Sequence, residues 1–384
     1  MNDPETVTPS DQVEGALHPR ETKKLFGQER AEQQFLKVFG SGRVHHSWLI
    51  SGPRGIGKAT LAWTLSRFLL ATPDHNQDGG LFADAPVTPT TLDIANDHPV
   101  ARRIMAGAEP GIFALHRSYD EKRKRYKQMI TVDEVRKLKS FFSLTATDGG
   151  RRIAIIDAAD ELNTNAANAL LKILEEPPEN AMLFLVSHQP SRLLPTIRSR
   201  CRELRLAQLS PQNVALAVKE AGVEFPNQYE QALATLASGS TGEAIRLLQL
   251  GGLEVYQSLI DVITSLPKFD HSRAIDISEQ YAGRGNSEEF ELFLGLSEMM
   301  LARLSRFGAL HEGLGPEAAK GEVAAFNKLC PTPFASKRWS QVAQMVSERL
   351  RHGRSVNIDP VALILDMFFK IVQNKLLWAI SQQT

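Results

Sequence analysis

The sequence predicts an α/β chain built on a parallel sheet with helices on both faces, continuing into an all-helical remainder. Three observations predict it. Short apolar runs alternate with helical periodicity as far as Leu206. One of those runs, Ser47-Trp48-Leu49-Ile50, feeds straight into a glycine-rich loop and a helix. Strand-like runs then vanish, and helical patterns continue to the end. This divides the 384 residues into a disordered polar tail over 1–22, an α/β domain over 23–208, a small helical domain over 209–252 and a larger helical domain over 253–384.

Taken in order, Leu25, Phe35, Leu36, Val38 and Phe39 mark a helix after Gly27. Lys58 to Leu70 is a second helix, with Leu61, Leu65, Phe68 and Leu69 on one face. Residues 71–99 carry Pro73, Pro86, Pro89 and Pro99 and are the least structured internal stretch. Ile112 to Leu115 is a strand, and Asp133 is an acid placed to start a helix over Glu134 to Phe142. The runs Arg152–Asp157 and Met182–Val186 are buried strands by composition. Between them Ala167, Leu170, Leu171 and Leu174 define a helix from Asn163 to Glu176, stopped by Pro177-Pro178. Later breaks fall at Gly251-Gly252, Gly283 to Gly285 and Pro331 to Pro333.

Charge does not advertise a polyanionic partner, since 44 basic residues balance 44 acidic ones. Cys201 and Cys330 are too few and too far apart for a cysteine-rich zinc site, and two reduced thiols are the expectation. The first residues lack a basic start and apolar core, and no apolar run reaches membrane-spanning length, so a cytoplasmic protein with no membrane contact is expected.

The chemistry concentrates in two places. In Gly52-Pro53-Arg54-Gly55-Ile56-Gly57-Lys58, the glycines Gly52, Gly55 and Gly57 let backbone N–H groups converge on phosphate oxygens. Lys58 adds a positive charge, and the helix that begins there adds its N-terminal dipole. The next residue is Ala59, so the hydroxyl that would coordinate Mg²⁺ is missing; Thr60, one position on, faces a different side and is a doubtful substitute. Asp157 ends a buried strand, where it either supports a metal through water or caps the next helix. Beside it stands Ala158, which cannot activate water as a Glu would. A nucleotide site with little or no hydrolysis, and no protein-held metal, is the expectation.

The segment Asn165-Ala-Ala-Asn-Ala-Leu-Leu-Lys-Ile-Leu-Glu-Glu-Pro-Pro178 resembles the helix after the Walker B strand in bacterial clamp-loader subunits, which are AAA+ proteins. Leu193 to Cys201 resembles the family's Ser-Arg-Cys segment, and His45-His46 and Gly239 to Ala244 fit as well. The resemblance covers residues 24 to 250 well and the remainder only as a collar-like helical domain. It implies a small helical lid, an oligomerising collar and a stator role in a heteropentamer that loads the sliding clamp onto primed DNA for DNA polymerase III. Partners implied are gamma/tau-type motor subunits and a delta subunit.

The resemblance also assigns residues. Arg200 would be an arginine finger supplied in trans to a neighbour's ATP, where a guanidinium stabilises transition-state charge. Motor subunits carry an arginine where this chain has Gly242, with Arg246 one helical turn further on; the sensor position is Ser187 or His188. Many relatives hold zinc on four cysteines between the nucleotide motifs, and residues 71–110 have none, so no zinc is expected. Ala59, Ala158 and Gly242 together imply ATP binding that is weak or absent. Two other classes stay open: an autonomous AAA+ ATPase acting on DNA, and a nucleotide-sensing adaptor holding ATP as a structural ligand. The run Lys122 to Arg125, flanked by Tyr119 and Tyr126, either touches DNA phosphates or is a solvated loop tip.

Overall fold

The computed structural model describes residues 8–42, 44–72, 89–143, 150–266, 269–282, 287–310 and 315–381. Most of the Pro-punctuated stretch 71–99 lies outside them. The chain forms two compact units, Met1–Glu224 with Gly239–Gly242, and Phe225–Ser238 with Glu243–Thr384.

The first unit runs α1 (Glu29–Gly40), β1 (Ser47–Ser51), α2 (Lys58–Ala71), α3 (Pro99–Met105), β2 (Ile112–Leu115), β3 (Tyr119–Asp120), β4 (Arg125–Tyr126), α4 (Val132–Ser143), β5 (Arg152–Asp157), α5 (Thr164–Glu175), β6 (Ala181–Ser187), α6 (Pro195–Ser199), β7 (Arg202–Arg205) and α7 (Pro211–Glu220). Five strands pair in parallel in the order β2-β5-β6-β1-β7. The central runs are apolar throughout because both faces are covered. Trp48, Ile50, Ile153, Ile155 and Phe184 pack against α1 and α2 on one face. Leu49, Ala154, Ile156, Leu183 and Leu185 pack against α4 and α5 on the other. The expected α/β class is the observed one.

Three features depart from expectation. Strand β7 has one buried residue, Leu204, in the run Arg-Glu-Leu-Arg, so it carries no apolar signature; it pairs with β1 along the sheet edge. Helix α4 is capped by Glu134 rather than Asp133. Glu134 accepts the Thr131 N–H at 2.8 Å and the Thr131 hydroxyl, while Asp133 pairs with Arg136 on the surface. Finally, residues 8–22, expected as part of a disordered tail, are held by specific bonds. Tyr126 donates its hydroxyl to the Thr8 carbonyl at 2.7 Å, Leu17 N–H donates to Ala221 O at 2.9 Å, and Arg67 donates to the carbonyls of Arg20 and Thr22. Local polarity misled here because these anchors lie far along the chain.

The second unit contains α8 (Glu230–Ala237), most of α9 (Thr241–Gln249), and α10 (Gly252–Thr264), α11 (His271–Ala282), α12 (Ser287–Leu310), α13 (Glu322–Leu329), α14 (Pro333–Ser355) and α15 (Pro360–Ser381). Tyr256, Phe293, Phe326 and Phe368 are among its fully buried side chains. The units cut the chain differently from the expected boundaries at 208/209 and 252/253, because α7 counts with the sheet. No helix among the described residues is long and apolar enough to cross a membrane.

Candidate nucleotide site

Strand β1 delivers the glycine-rich loop, and α2 begins at its last residue. Gly55 takes φ +73° and Gly57 φ +96°, conformations that favour glycine. Gly55 is also a point of close approach: a Cβ there would meet the Ser240 hydroxyl and lie 2.9 Å from Gly242 N. The Gly242 N–H donates to the Gly55 carbonyl at 3.1 Å. A Cβ at residue 242 would in turn lie 3.0 Å from Gly55 Cα. Gly242 is therefore packed backbone to backbone on the loop, and a side chain there would require the loop to shift.

The lysine is turned onto its own loop. Lys58 is 3 % exposed, and its Nζ donates to Gly52 O at 2.9 Å and to Pro53 O. Burial pushes its pKa down to about 8, against the opposing pull of Asp157 and Asp160. Ala59 and Thr60 are half-buried in the first turn of α2. Arg54 is exposed at the loop tip, 3.9 Å from Glu161.

Asp157, at the end of β5, is pushed up to about 7, first by burial and then by Asp11, which the ordered N-terminal segment brings near. Burial alone would raise Asp11 as well, but its 3.1 Å bond to His18 and the nearby His116 win and hold it below the usual range. Oδ1 of Asp11 is buried without a hydrogen-bond partner. Asp160 accepts the His188 N–H at 3.0 Å, and His188 is pushed down to about 4 by burial and then by Lys58. Ser187 is fully buried in register with Ser51. Of the two candidate sensor residues, His188 thus shares the field of Lys58 and Asp160. Sequence reasoning assigned no role to Asp11 or Asp160; Asp160 had a local signal as the last acid of Asp157-Ala-Ala-Asp, whereas Asp11 had none.

Gly52, Gly55 and Gly57 give the loop the turns a phosphate cradle needs, but the Lys58 ammonium is engaged by the carbonyls of Gly52 and Pro53 and would have to release them to reach a phosphate. The site does not fit a hydrolytic Mg²⁺ complex, since neither Ala59 nor Ala158 can ligate a metal or activate water. No group of three or more metal-ligating side chains occurs among the described residues.

Arg200 stands apart from this loop. It caps α6, with its guanidinium about a third exposed; Nη1 donates to Thr196 O at 3.0 Å and Nη2 to Glu175 Oε1 at 2.7 Å. Cys201 beside it is a free thiol, raised to about 12 by burial. The basic run Lys122 to Arg125 is exposed at the tip of the β3–β4 hairpin, whose base is closed by Tyr119 against Tyr126 at 5.2 Å.

Residues 27–210 match the family described as DNA polymerase III, delta subunit. The DNA polymerase III subunit delta' of Pseudomonas aeruginosa is 34% identical over 230 residues, 60% of this chain and 62% of that protein. The gamma subunit of Buchnera aphidicola is 28% identical over 235 residues, 60% and 58% of the two chains. The delta' subunit of Escherichia coli is 31% identical over 243 residues, 62% and 65%. The chain thus spans about three fifths of the length of the curated relatives it matches. Over the matched segment, this chain is similar to the delta' and gamma subunits of DNA polymerase III.

Proposed function

We propose that the chain is a delta-prime-type stator of a DNA polymerase III clamp loader. It joins gamma/tau-type motor subunits and a delta subunit in a heteropentamer that places the sliding clamp on primed DNA, and it contributes Arg200 in trans to a neighbour's ATP. One contrast supports the reading: Arg200 is a partly exposed guanidinium at the end of α6, held by Thr196 and Glu175, while Ala59 and Ala158 leave the chain's own site without the hydroxyl and carboxylate that hydrolysis needs. Its own site binds nucleotide weakly or not at all, and its intrinsic ATPase is negligible.

The test is reconstitution with motor and delta subunits. Arg200→Ala is expected to leave assembly intact and to lower clamp-stimulated ATPase tenfold or more. An unchanged rate would overturn the finger, and robust turnover by the isolated chain would overturn the stator. The intact cradle around Lys58 supports a second reading, a structural nucleotide. Tight equilibrium binding of labelled ATP that is lost in Lys58→Ala would establish it.

A further inference from the structure

We infer that Glu175 is the resident counter-ion of Arg200, a positioning residue that the neighbour's γ-phosphate must displace; this rests on the reading of Arg200 as a finger. The two family-like segments, Asn165 to Pro178 and Leu193 to Cys201, share a buried apolar cluster and are bridged at its edge by this ion pair. Glu175 is the last residue of α5, and Pro177-Pro178 prevents the helix from continuing past it. The residue is thereby placed at a helix end beside α6. Arg200 caps α6 with backbone dihedrals of −96° and −3°, and its N–H donates to Ile197 O at 3.1 Å. The backbone is committed, so only the side chain is free to move.

The guanidinium is held by two bonds of different character. The Thr196 carbonyl at 3.0 Å comes from the arginine's own helix and would travel with it. The Glu175 carboxylate at 2.7 Å comes from another element and carries a full negative charge. A phosphate and this carboxylate compete for the same donors and repel one another, so both cannot occupy one edge of the guanidinium in water-excluded contact. Glu175 is 48 % exposed and Arg200 36 %. An ion pair this exposed is weak enough to exchange, yet it keeps the guanidinium at the end of α6 rather than sampling solvent.

The consequence is a specific kinetic signature. Glu175→Gln keeps the shape and a hydrogen-bond acceptor but removes the competing charge. In the reconstituted complex it is expected to lower KM for ATP two- to five-fold at the site Arg200 serves, with kcat changed less than two-fold. Glu175→Asp, which restores the charge, is expected to bring KM back toward the parent value. In Arg200→Ala, adding Glu175→Gln is expected to change nothing further. A Glu175→Gln complex with parental KM, or one that loses kcat as Arg200→Ala does, would overturn the counter-ion role while leaving the finger standing. If Arg200→Ala itself leaves turnover unchanged, both readings fall together.

Discussion

Each unit buries a cluster of charge, and the two clusters are finished to different degrees. In the helical unit Glu322 is 1 % exposed and accepts four donors: Arg303 Nε at 2.8 Å, Arg303 Nη2 at 2.9 Å, the Tyr256 hydroxyl at 2.5 Å and the Ala318 N–H at 2.7 Å. Burial would lower the Arg303 pKa, but the Glu322 bonds outweigh it and hold the guanidinium above its ordinary value. In the α/β unit, Lys58, Asp157 and His188 are all pushed toward their neutral forms by burial, and Asp11 keeps an unpartnered oxygen. A saturated cluster braces a fold. An unsaturated one beside a glycine-rich loop is what a ligand site looks like, even when its catalytic neighbours are alanines.

The sharpest way to break that contrast is Glu322→Ala, which strands Arg303 in the core. Urea unfolding of the helical unit is expected to lose about 3–5 kcal/mol. A loss below about 1 kcal/mol would deny the bracing role. Next comes Glu134, a braced acid within the α/β unit itself. Burial would raise its pKa, but the bonds from Thr131, Ser118 and Lys127 hold it down at about 2. Its stabilisation is therefore complete above the ordinary value of 4.5 and fades as pH falls toward 2. Glu134→Gln should cost about 1–2 kcal/mol at neutral pH, and much less at pH 3.

Asp157 has the opposite sign. The folded chain keeps a proton between pH 3.8 and about 7 that the unfolded chain has released, so stability falls as pH rises through that window. Asp157→Asn should flatten the slope, by at most about 1.4 kcal/mol per pH unit, in melts recorded from pH 4 to 8. The smallest expected effect is Lys58→Met. A charge that burial already disfavours contributes little, so thermal unfolding should stay within about 1 kcal/mol of the parent. A loss beyond about 2 kcal/mol would mean that Lys58 braces the loop instead.

Much of the sheet was legible in the sequence because its central strands are buried on both faces: β1, β5 and β6 read as unbroken apolar runs. The turn from β1 into α2 was legible from three glycines and a lysine in strand-loop-helix context. What escaped was whatever depended on distant partners. Strand β7 is specified by its pairing with β1 and not by its own Arg-Glu-Leu-Arg. Residues 8–22 are mostly polar, and distant partners fix them, among them Arg67, Tyr126, His116 and the Ala221 carbonyl. Asp11 was invisible as a site residue for that reason. The tight packing of Gly242 on Gly55 likewise needed coordinates.

The place of β1 in the sheet has a consequence for the order of events during synthesis. β1 lies between β6 and β7, with Ser47 opposite Leu183 and Trp48 opposite Arg202, separations of 183 − 47 = 136 and 202 − 48 = 154 residues. At ~5–20 residues per second, the strand waits about 8–30 s for its second neighbour to be made. Throughout that interval Trp48 and Ile50 have the residues of α1 and α2 but lack Leu204, which completes their core. A nascent chain exposing such a run is a ready substrate for holding chaperones, and the sheet can close only after Arg205 has cleared the ribosome.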